Sequence, residues 1–275
     1  MGLALSAERS HAFRASSLAD AYERYLLPYL FEPWARELIA RSAIEPGMSV
    51  LDVASGVGTV ARLAAKSVGP TGRVVASDIS AEMLAIAART ALGADSAAIE
   101  CVECSAAALS VEPGSFDRVL CQQGLQFFPE RLDALRAMRR ALAPDGVALI
   151  AVWAAEQPLG LFGPMTEAVR ETGISEPFPG AFEVQSFAMA AGELRRLLDA
   201  AGYDAVSVET VKLACSWPTS REVLDSVSGS VFGPAVAALP PESQDELATR
   251  LLALIGADGP GEVVIETASH IAVGR

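Results

Sequence analysis

Residues 50–59, Val50-Leu-Asp-Val-Ala-Ser-Gly-Val-Gly-Thr59, decide the fold of this chain. A short apolar run leads into a turn that contains Gly56 and Gly58, and a segment of helical composition starts at Thr59. Because glycine has no side chain, a ligand can approach the backbone of this turn closely, and the amides at the start of the following helix face it. The stretch therefore predicts a strand, a ligand-binding turn and a helix.

Strand-like and helix-like segments alternate around this turn, from about residue 48 to residue 153. The apolar runs predict strands at 50–53, 73–77, 99–104, 116–121 and 147–153. The helical patterns lie at 59–67, after an N-cap at Ser80, and from Pro129 to Leu142. Repeated strand–helix units predict an α/β fold, a Rossmann-like three-layer sandwich with a mostly parallel sheet.

The segments outside this core differ from it in composition. Residues 16–43 form a helical preface, while residues 154–190 are rich in Gly, Pro and Phe and predict an irregular excursion. A helix that ends at a glycine is predicted at 192–202. Alternating apolar and polar residues at 206–213 and 263–273 predict two further strands, so we expect seven strands with an antiparallel one at the C-terminus.

Helical segments broken by prolines at 218–260 predict an inserted cap before the last strand. We expect one domain over residues 1–275, because no repeat or low-complexity linker divides the chain. Its expected parts are an N-terminal helical lid at 1–44, a ligand-binding core at 45–153, and a substrate-side region with the last strands and the helical insertion at 154–275.

The charge balance excludes several classes of partner. Lys and Arg number 21 against 34 Asp and Glu, which gives a formal net charge of −13 at pH 7. A surface that acidic repels phosphate backbones and anionic lipid heads, so we expect neither nucleic acid nor a membrane as a partner. The longest clean apolar run, at 147–155, is far shorter than the roughly 20 residues of a spanning helix, and no secretory signal opens the chain. A cytoplasmic protein is expected.

Four cysteines occur, at positions 101, 104, 121 and 215. Cys101 and Cys104 have a spacing that also occurs in zinc and redox sites. The pair lies in a predicted strand, where a spacing of three turns the side chains to opposite faces, and no second pair or nearby histidine completes a set of four ligands. We expect core thiols and no metal.

Two acidic residues near the glycine turn bear on its ligand. The turn itself also satisfies the dinucleotide-binding fingerprint, with Ala61 in the third glycine position. Asp52 lies inside the first strand, where a carboxylate suits a cationic ligand better than a pyrophosphate. Asp78 ends the second strand, where it accepts hydrogen bonds from ribose hydroxyls in either class of cofactor. The residues alone favour an adenosine cofactor of cationic character.

Four motifs taken together resemble those of class I S-adenosylmethionine-dependent methyltransferases. They are Asp52-Val-Ala-Ser-Gly-Val-Gly58, Ser77-Asp78-Ile79-Ser80 with Met83-Leu84, Gly114-Ser-Phe-Asp-Arg-Val-Leu-Cys-Gln-Gln123, and Leu142-Ala-Pro-Asp-Gly146. The resemblance covers about residues 45–153 and is closest to the group that includes the menaquinone and ubiquinone biosynthesis methyltransferases. It implies that this core binds S-adenosylmethionine.

The resemblance also implies a role for each matching residue. The methionine end of the cofactor would be held by Asp52, by the backbone at Ala54, Ser55, Gly56 and Gly58, and by Gln122. The ribose would be bound by Asp78, and the adenine would be surrounded by Ile79, Met83, Ser105 and Ala106.

Two positions depart from the family pattern. Ala54 stands where many relatives have glycine, and its methyl group narrows the turn. Ser105 stands where most relatives have aspartate to accept a hydrogen bond from the adenine amino group. Because a neutral hydrogen bond contributes about 0.5–1.5 kcal/mol and a charged one about 1.5–3 kcal/mol, we expect weaker cofactor binding and not its loss.

Methyl transfer from a sulfonium is a direct displacement that needs alignment of the reacting atoms and no covalent nucleophile or metal. The catalytic residue therefore stays unassigned, with His11, Tyr22 and Gln126 as candidates for a general base or an active-site contact. His270 falls in a predicted strand, where we expect a structural role.

The substrate is predicted to be a small hydrophobic or aromatic molecule. Tyr22, Phe127 and Trp153 are its expected contacts, since they lie in the lid or at the carboxyl ends of strands, and the segment at 159–187 is apolar. The main prediction is a methyltransferase. The alternatives are a protein of the same fold that binds the cofactor without methylating, as a cyclase or a binding protein, and an NAD-dependent oxidoreductase. The insertion at 218–260 fits either a substrate cap or the surface of a homodimer.

Overall fold

A computed structural model of the chain describes residues 22–89, 92–157, 159–174, 187–257, 259 and 261–275. Among these residues the strands are β1 (Ser49–Val53), β2 (Arg73–Asp78), β3 (Ile99–Glu103), β4 (Phe116–Gln122), β5 (Leu142–Trp153), β6 (Ser207–Trp217) and β7 (Val263–Gly274). The helices are α1 (Tyr22–Phe31), α2 (Glu32–Arg41), α3 (Thr59–Val68), α4 (Ala81–Arg89), α5 (Arg131–Ala141), α6 (Phe162–Thr172), α7 (Ala191–Ala201), α8 (Ser220–Ser228), α9 (Gly233–Ala237) and α10 (Pro241–Leu254).

The seven strands of the described residues form one sheet in the order β3-β2-β1-β4-β5-β7-β6. β1 pairs in parallel with β2 and with β4, and the pairs β2–β3 and β4–β5 are parallel too. β7 lies antiparallel between β5 and β6. The predicted Rossmann-like α/β fold, with a mostly parallel sheet and an antiparallel C-terminal strand, is confirmed.

Neighbouring residues of the central strands face opposite layers of helices. Val50 belongs to a buried cluster that includes Leu38 of α2, whereas Leu51 belongs to a second cluster with Leu135 of α5 and Leu194 of α7. Because side chains alternate along a strand, each face of the sheet has its own core, which gives three layers.

Two strands are longer than their sequence patterns predicted. β5 starts at Leu142 and not at Val147, because Leu142 pairs with Phe116 before a shift in register. β6 continues past Leu213 to Trp217, because each residue up to that point pairs with β7 and Trp217 is fully buried.

The segment at 154–190 contains a helix that its composition did not predict. α6 buries Phe162, Met165 and Ala168 at helical spacing and ends at Gly173, whose φ is 68°. The expectation of an irregular excursion is therefore wrong for this part, because the surrounding Gly and Pro concealed a short apolar helix face. Residues 175–186 lie outside the described residues.

The predicted helical preface is present as α1 and α2, and residues 16–21 lie outside the described residues. Every fourth side chain of these helices is buried: Leu26, Leu30, Trp34 and Leu38. The Trp34 indole N–H also donates to Thr267 Oγ1 of β7 at 2.9 Å. The preface is thus anchored to the sheet by one continuous apolar stripe and one buried hydrogen bond.

Neither a membrane-spanning helix nor a metal-binding cluster occurs in the part of the chain that the structure describes. None of its helices is long and apolar enough to cross a membrane. Its four cysteines are free, and it contains no cluster of His, Cys, Asp and Glu that could hold a metal ion.

Replacing Trp34 with phenylalanine is expected to lower the free energy of unfolding by about 1–3 kcal/mol, because Thr267 Oγ1 loses a buried donor and the smaller ring leaves a gap. Urea unfolding measures this change. Arg36→Lys, on the exposed face of the same helix, is the control and should change stability by less than about 0.5 kcal/mol. Equal stability of the Trp34 variant and the wild type would contradict the anchoring role of the indole.

Candidate functional site

The glycine turn lies where β1 ends and α3 begins. The Gly56 N–H donates to Asp78 Oδ2 at 2.8 Å, which ties the turn to the end of β2. Gly58 has a φ of 79°, and a Cβ at this position would lie 2.8 Å from the Cβ of Ala87 on α4. A side chain does not fit there, so the backbone of the turn is held close to the neighbouring elements and open toward a ligand.

Ala54, the first residue of the turn, has a φ of 55°. This left-handed conformation costs an alanine roughly 1–2 kcal/mol. A Cβ built on Gly124, after β4, would lie 2.8 Å from the Ala54 Cβ, so the methyl group points at the end of the neighbouring strand. Alanine in place of glycine at position 54 therefore adds backbone strain to the turn as well as a methyl group.

Asp52 lies behind the turn and is 1% exposed. Its Oδ2 accepts a hydrogen bond from the Ala61 N–H at 2.9 Å, in the first turn of α3, where the helix dipole favours a carboxylate. Burial, together with the negative charge of Asp78, raises the pKa of Asp52 to about 8, although the hydrogen bond from Ala61 acts in the opposite direction. The residue is not among those that line the cavity described below.

Asp78 is the polar end of β2. Its Oδ1 accepts from the Ser80 N–H at 2.9 Å and its Oδ2 from Gly56, and burial raises the pKa of its carboxyl group. Ile79 follows, with 43% of its surface exposed, and is one of two large apolar side chains so exposed among the described residues. A carboxylate beside an uncovered apolar surface suits a nucleoside, which has ribose hydroxyls and a flat base.

A cavity of about 230 Å³ opens at the carboxyl ends of β1, β2 and β4. The residues predicted for the cofactor that line it are Ala54, Gly56, Asp78, Ile79, Met83, Ser105, Ala106 and Gln122. The predicted residues that do not line it are Asp52, Ser55 and Gly58. Ser105 is exposed, and its Oγ accepts from the Ala107 N–H at 3.3 Å, as the cap of a short helical turn.

Two polar atoms beside this cavity are buried without a partner among the described residues. One is Oε1 of Gln122, whose Nε2 donates to the Phe31 carbonyl at 2.9 Å. The other is the Ser55 hydroxyl, inside the glycine turn. Buried polar groups are nearly always hydrogen-bonded, so the unpartnered oxygen of Gln122, which lines the cavity, points to a polar ligand.

The far side of the cavity is aromatic. The rings that line it are Tyr22, Phe31, Phe127, Phe128, Trp153, Phe162 and Phe187. Phe162 and Phe187 stack with centroids 5.9 Å apart and planes 9° apart, and Trp153 meets Phe162 at 6.0 Å. The predicted contacts Tyr22, Phe127 and Trp153 all lie in this wall, whereas Phe187 comes from the excursion, where the sequence showed only an apolar composition.

The insertion at 218–260 reaches the same cavity. Gly229, Ser230 and Val231, between α8 and α9, are among its lining residues. The insertion therefore contributes residues to the wall of the cavity, and its role as a substrate cap or a dimer surface stays a prediction.

The three candidate catalytic residues have different positions. His11 lies outside the described residues. Tyr22 lines the cavity, and burial together with the charge of Asp78 raises the pKa of its hydroxyl. Gln126 is 1% exposed and does not line the cavity. His270 is buried between Thr210 and Glu156, at 3.0 and 2.7 Å, as a structural residue would be.

Sequence reasoning missed Gln123. It lines the cavity with a φ of 55°, and its Nε2 donates to Ser269 Oγ of β7 at 2.7 Å. A polar pair at the carboxyl end of a buried strand was the available signal, but only Gln122 was chosen from it.

Residues 50–146 match the model of the methyltransferase domain family. The ubiquinone/menaquinone biosynthesis C-methyltransferase UbiE of Hahella chejuensis is 38% identical over 120 residues, which are 42% of this chain and 47% of that protein. The chain thus spans about half the length of the curated relatives it matches.

Two solved structures share the fold over most of the chain. Phosphoethanolamine N-methyltransferase 2 of Haemonchus contortus, in complex with S-adenosyl-L-methionine, has a TM-score of 0.59 and 20% identity over 96% of this chain and 60% of that one. The YcgJ protein of Bacillus subtilis has a TM-score of 0.56 and 17% identity over 88% of this chain and 97% of that one.

These findings confirm the resemblance drawn from the four motifs. The fold is the one found in the solved methyltransferase of Haemonchus contortus, and residues 50–146 match the methyltransferase domain family. The site fits S-adenosylmethionine: Asp78 suits its ribose, Ile79 its adenine, and the unpartnered oxygen of Gln122 the ammonium donor of its methionine end.

Ala54→Gly is expected to raise the free energy of unfolding by up to about 1.5 kcal/mol. The change relieves roughly 1–2 kcal/mol of left-handed strain, and the greater unfolded-state freedom of glycine offsets about 0.5–1 kcal/mol of it. Thermal unfolding compares this variant with Ala107→Gly, a cavity-lining alanine without positive φ, which should lose stability. A lower melting temperature for the Ala54 variant would show that the turn is unstrained.

Asp52→Asn is expected to flatten the dependence of stability on pH. The folded-state pKa is about 8 and the unfolded one about 3.9, so as the pH rises through this window the unfolded state loses the proton first. The wild type therefore loses stability between about pH 4 and pH 8, by up to about 1.4 kcal/mol per pH unit from this group. Asparagine keeps an acceptor for the Ala61 N–H and does not titrate.

Urea unfolding between pH 5 and pH 8 measures the two slopes. Asp199→Asn, an exposed carboxylate on α7, is the control and should keep the wild-type slope. Identical slopes in all three proteins would mean that Asp52 is ionised in the fold throughout this range.

Proposed function

We propose that this protein transfers the methyl group of S-adenosylmethionine to a small hydrophobic, aromatic acceptor by direct displacement. One observation carries the proposal: a single cavity joins a polar half at the glycine turn to an aromatic half built from other segments. A cofactor in the first half and an acceptor in the second would meet inside the same enclosure.

When bound, the cofactor would supply an electrophilic methyl group on a sulfonium for direct displacement. Asp78 would accept from the ribose hydroxyls, and Gln122 Oε1 from the ammonium group. Ile79 and Met83 would flank the adenine, with Ser105 and Ala106 at its edge. Alignment of the reacting atoms supplies several kcal/mol of the catalysis.

The acceptor half favours a flat apolar molecule. Stacked rings at Phe162 and Phe187 offer an aromatic face, and the charged side chains among the described lining residues, Asp78 and Glu130, are both acidic. An anionic acceptor would be repelled by them. The relatives that are named for ubiquinone and menaquinone biosynthesis support an aromatic acceptor. Because they are named C-methyltransferases, they also support carbon as the methylated atom.

The two alternatives receive less support. Asp52, behind the turn, places a carboxyl group where a dinucleotide would bring a pyrophosphate, whereas Asp78 would serve the ribose of either class of cofactor. A protein that binds the cofactor without transferring methyl, such as a cyclase, would use the same polar half of the cavity. The match to the methyltransferase domain does not support that alternative. We further infer that residues 1–275 form one functional unit with an N-terminal lid and an inserted cap, and that the protein is located in the cytoplasm. A homodimer stays a prediction, which light scattering would test.

Calorimetric titration tests the cofactor. S-adenosylmethionine and S-adenosylhomocysteine should bind, and Asp78→Ala should weaken both at least about tenfold, because charged hydrogen bonds of about 1.5–3 kcal/mol are lost. Asp133→Ala, an exposed carboxylate on α5, is the matched control and should bind like the wild type. Binding of NADH alone would overturn the proposal.

Methylation is tested separately by mass spectrometry of apolar aromatic phenols and quinols incubated with the protein and cofactor. A gain of one methyl group in such a compound, absent with Asp78→Ala, is the expected result. Cofactor binding without transfer to any member of the panel, combined with conversion of a substrate that keeps its mass, would identify the cyclase alternative.

A further inference from the structure

One amide faces both the N-terminal helices and the cavity. Gln122 ends β4, and its Nε2 donates at 2.9 Å to the carbonyl of Phe31, 91 residues earlier in the chain. Its Oε1 is buried and has no partner among the described residues. Gln122 lines the cavity. Its Oε1 is therefore an unused acceptor on an amide whose Nε2 is fixed by the hydrogen bond to Phe31.

The orientation of this amide follows from its partner. A backbone carbonyl only accepts hydrogen bonds, so the side of Gln122 that faces Phe31 must be the nitrogen. The oxygen is then left for the cavity, and the ligand atom it meets must be a donor. An ammonium group is such a donor, and it makes a stronger, charge-assisted hydrogen bond.

The Phe31 carbonyl lies at the junction of the two N-terminal helices, so a hydrogen bond to it can fix their position relative to the cavity. Phe31 joins α1 to α2. The cavity is lined by its ring and by the side chains of Tyr22 and Leu26. The same helix has a second attachment, because Ser226 Oγ of α8 donates to the Tyr25 carbonyl at 2.6 Å. In addition to its buried apolar side chains, α1 thus has these two hydrogen bonds, and of the two the one from Gln122 lies at the cavity.

We propose that Gln122 is a positioning residue that couples cofactor binding to the docking of α1, an inference that rests on the proposed function. Its oxygen receives the ammonium of the cofactor, and its nitrogen keeps α1 over the acceptor half of the cavity. A bound ligand fixes the amide and strengthens the hold on Phe31. By linkage, the docked helix raises cofactor affinity by the same factor.

Two substitutions separate the two ends of the amide. Gln122→Leu removes both the donor and the acceptor. Gln122→Glu keeps an acceptor oxygen for the ammonium but loses the donor, and its carboxylate repels the Phe31 carbonyl. Ser226→Ala is the matched control, since it removes the attachment of α1 that lies away from the cavity. Circular dichroism and melting temperature establish that each variant is folded.

Hydrogen exchange of residues 22–31, with and without S-adenosylhomocysteine, measures the docking of α1. Calorimetry measures the affinity for the same ligand. In the wild type and in Ser226→Ala the ligand should slow exchange at least about fivefold. In Gln122→Leu affinity should fall about tenfold or more, and exchange should no longer respond to ligand at saturation. In Gln122→Glu affinity should recover toward the wild type while the exchange response stays lost.

Two results would overturn the coupling. One is a wild-type exchange response in Gln122→Glu at saturating ligand, and the other is a wild-type affinity in Gln122→Leu. A wild-type protein that binds neither S-adenosylmethionine nor S-adenosylhomocysteine would overturn the proposed function and this assignment with it, which distinguishes the two failures.

Discussion

The parallel pairing of β1 with β2 on one side and β4 on the other is the constraint on which the site depends. Parallel neighbours end at the same edge of a sheet, so this pairing brings together the turn after Val53, the carboxylate of Asp78 and the amide of Gln122. Backbone hydrogen bonds of the buried sheet, and not contacts between these side chains, set their relative positions. The polar half of the cavity therefore has the rigidity of the sheet itself.

The two halves of the cavity come from different parts of the chain. The segment that matches the methyltransferase domain, 50–146, supplies the polar half. Most of the aromatic half lies outside that segment, in Phe31, Trp153, Phe162 and Phe187. The two halves are thus separate in the sequence, and the hydrogen bond from Gln122 Nε2 to the Phe31 carbonyl is one contact that joins them.

Local features were predictable from the sequence and long-range ones were not. The turn at 54–58 and Asp78 follow from a pattern of adjacent residues, and both lie where that pattern indicated. The pattern placed Asp52 in a strand but gave no reason to seat its carboxylate on the amide of Ala61 instead of on the ligand. The contact of Gln122 with Phe31 and the stacking of rings from α6 and the excursion depend on tertiary packing, which no local pattern contains.

The position of β7 has a consequence for the order of assembly. β7 is the last strand along the chain, yet it lies between β5 and β6. While the ribosome is still completing residues 263–274, β5 and β6 have no partner on their facing edges, the Trp34 indole lacks Thr267, and Gln123 lacks Ser269. These two strands can therefore complete their pairing only once residues 263–274 have been inserted between them, so this side of the sheet depends on the last strand of the chain.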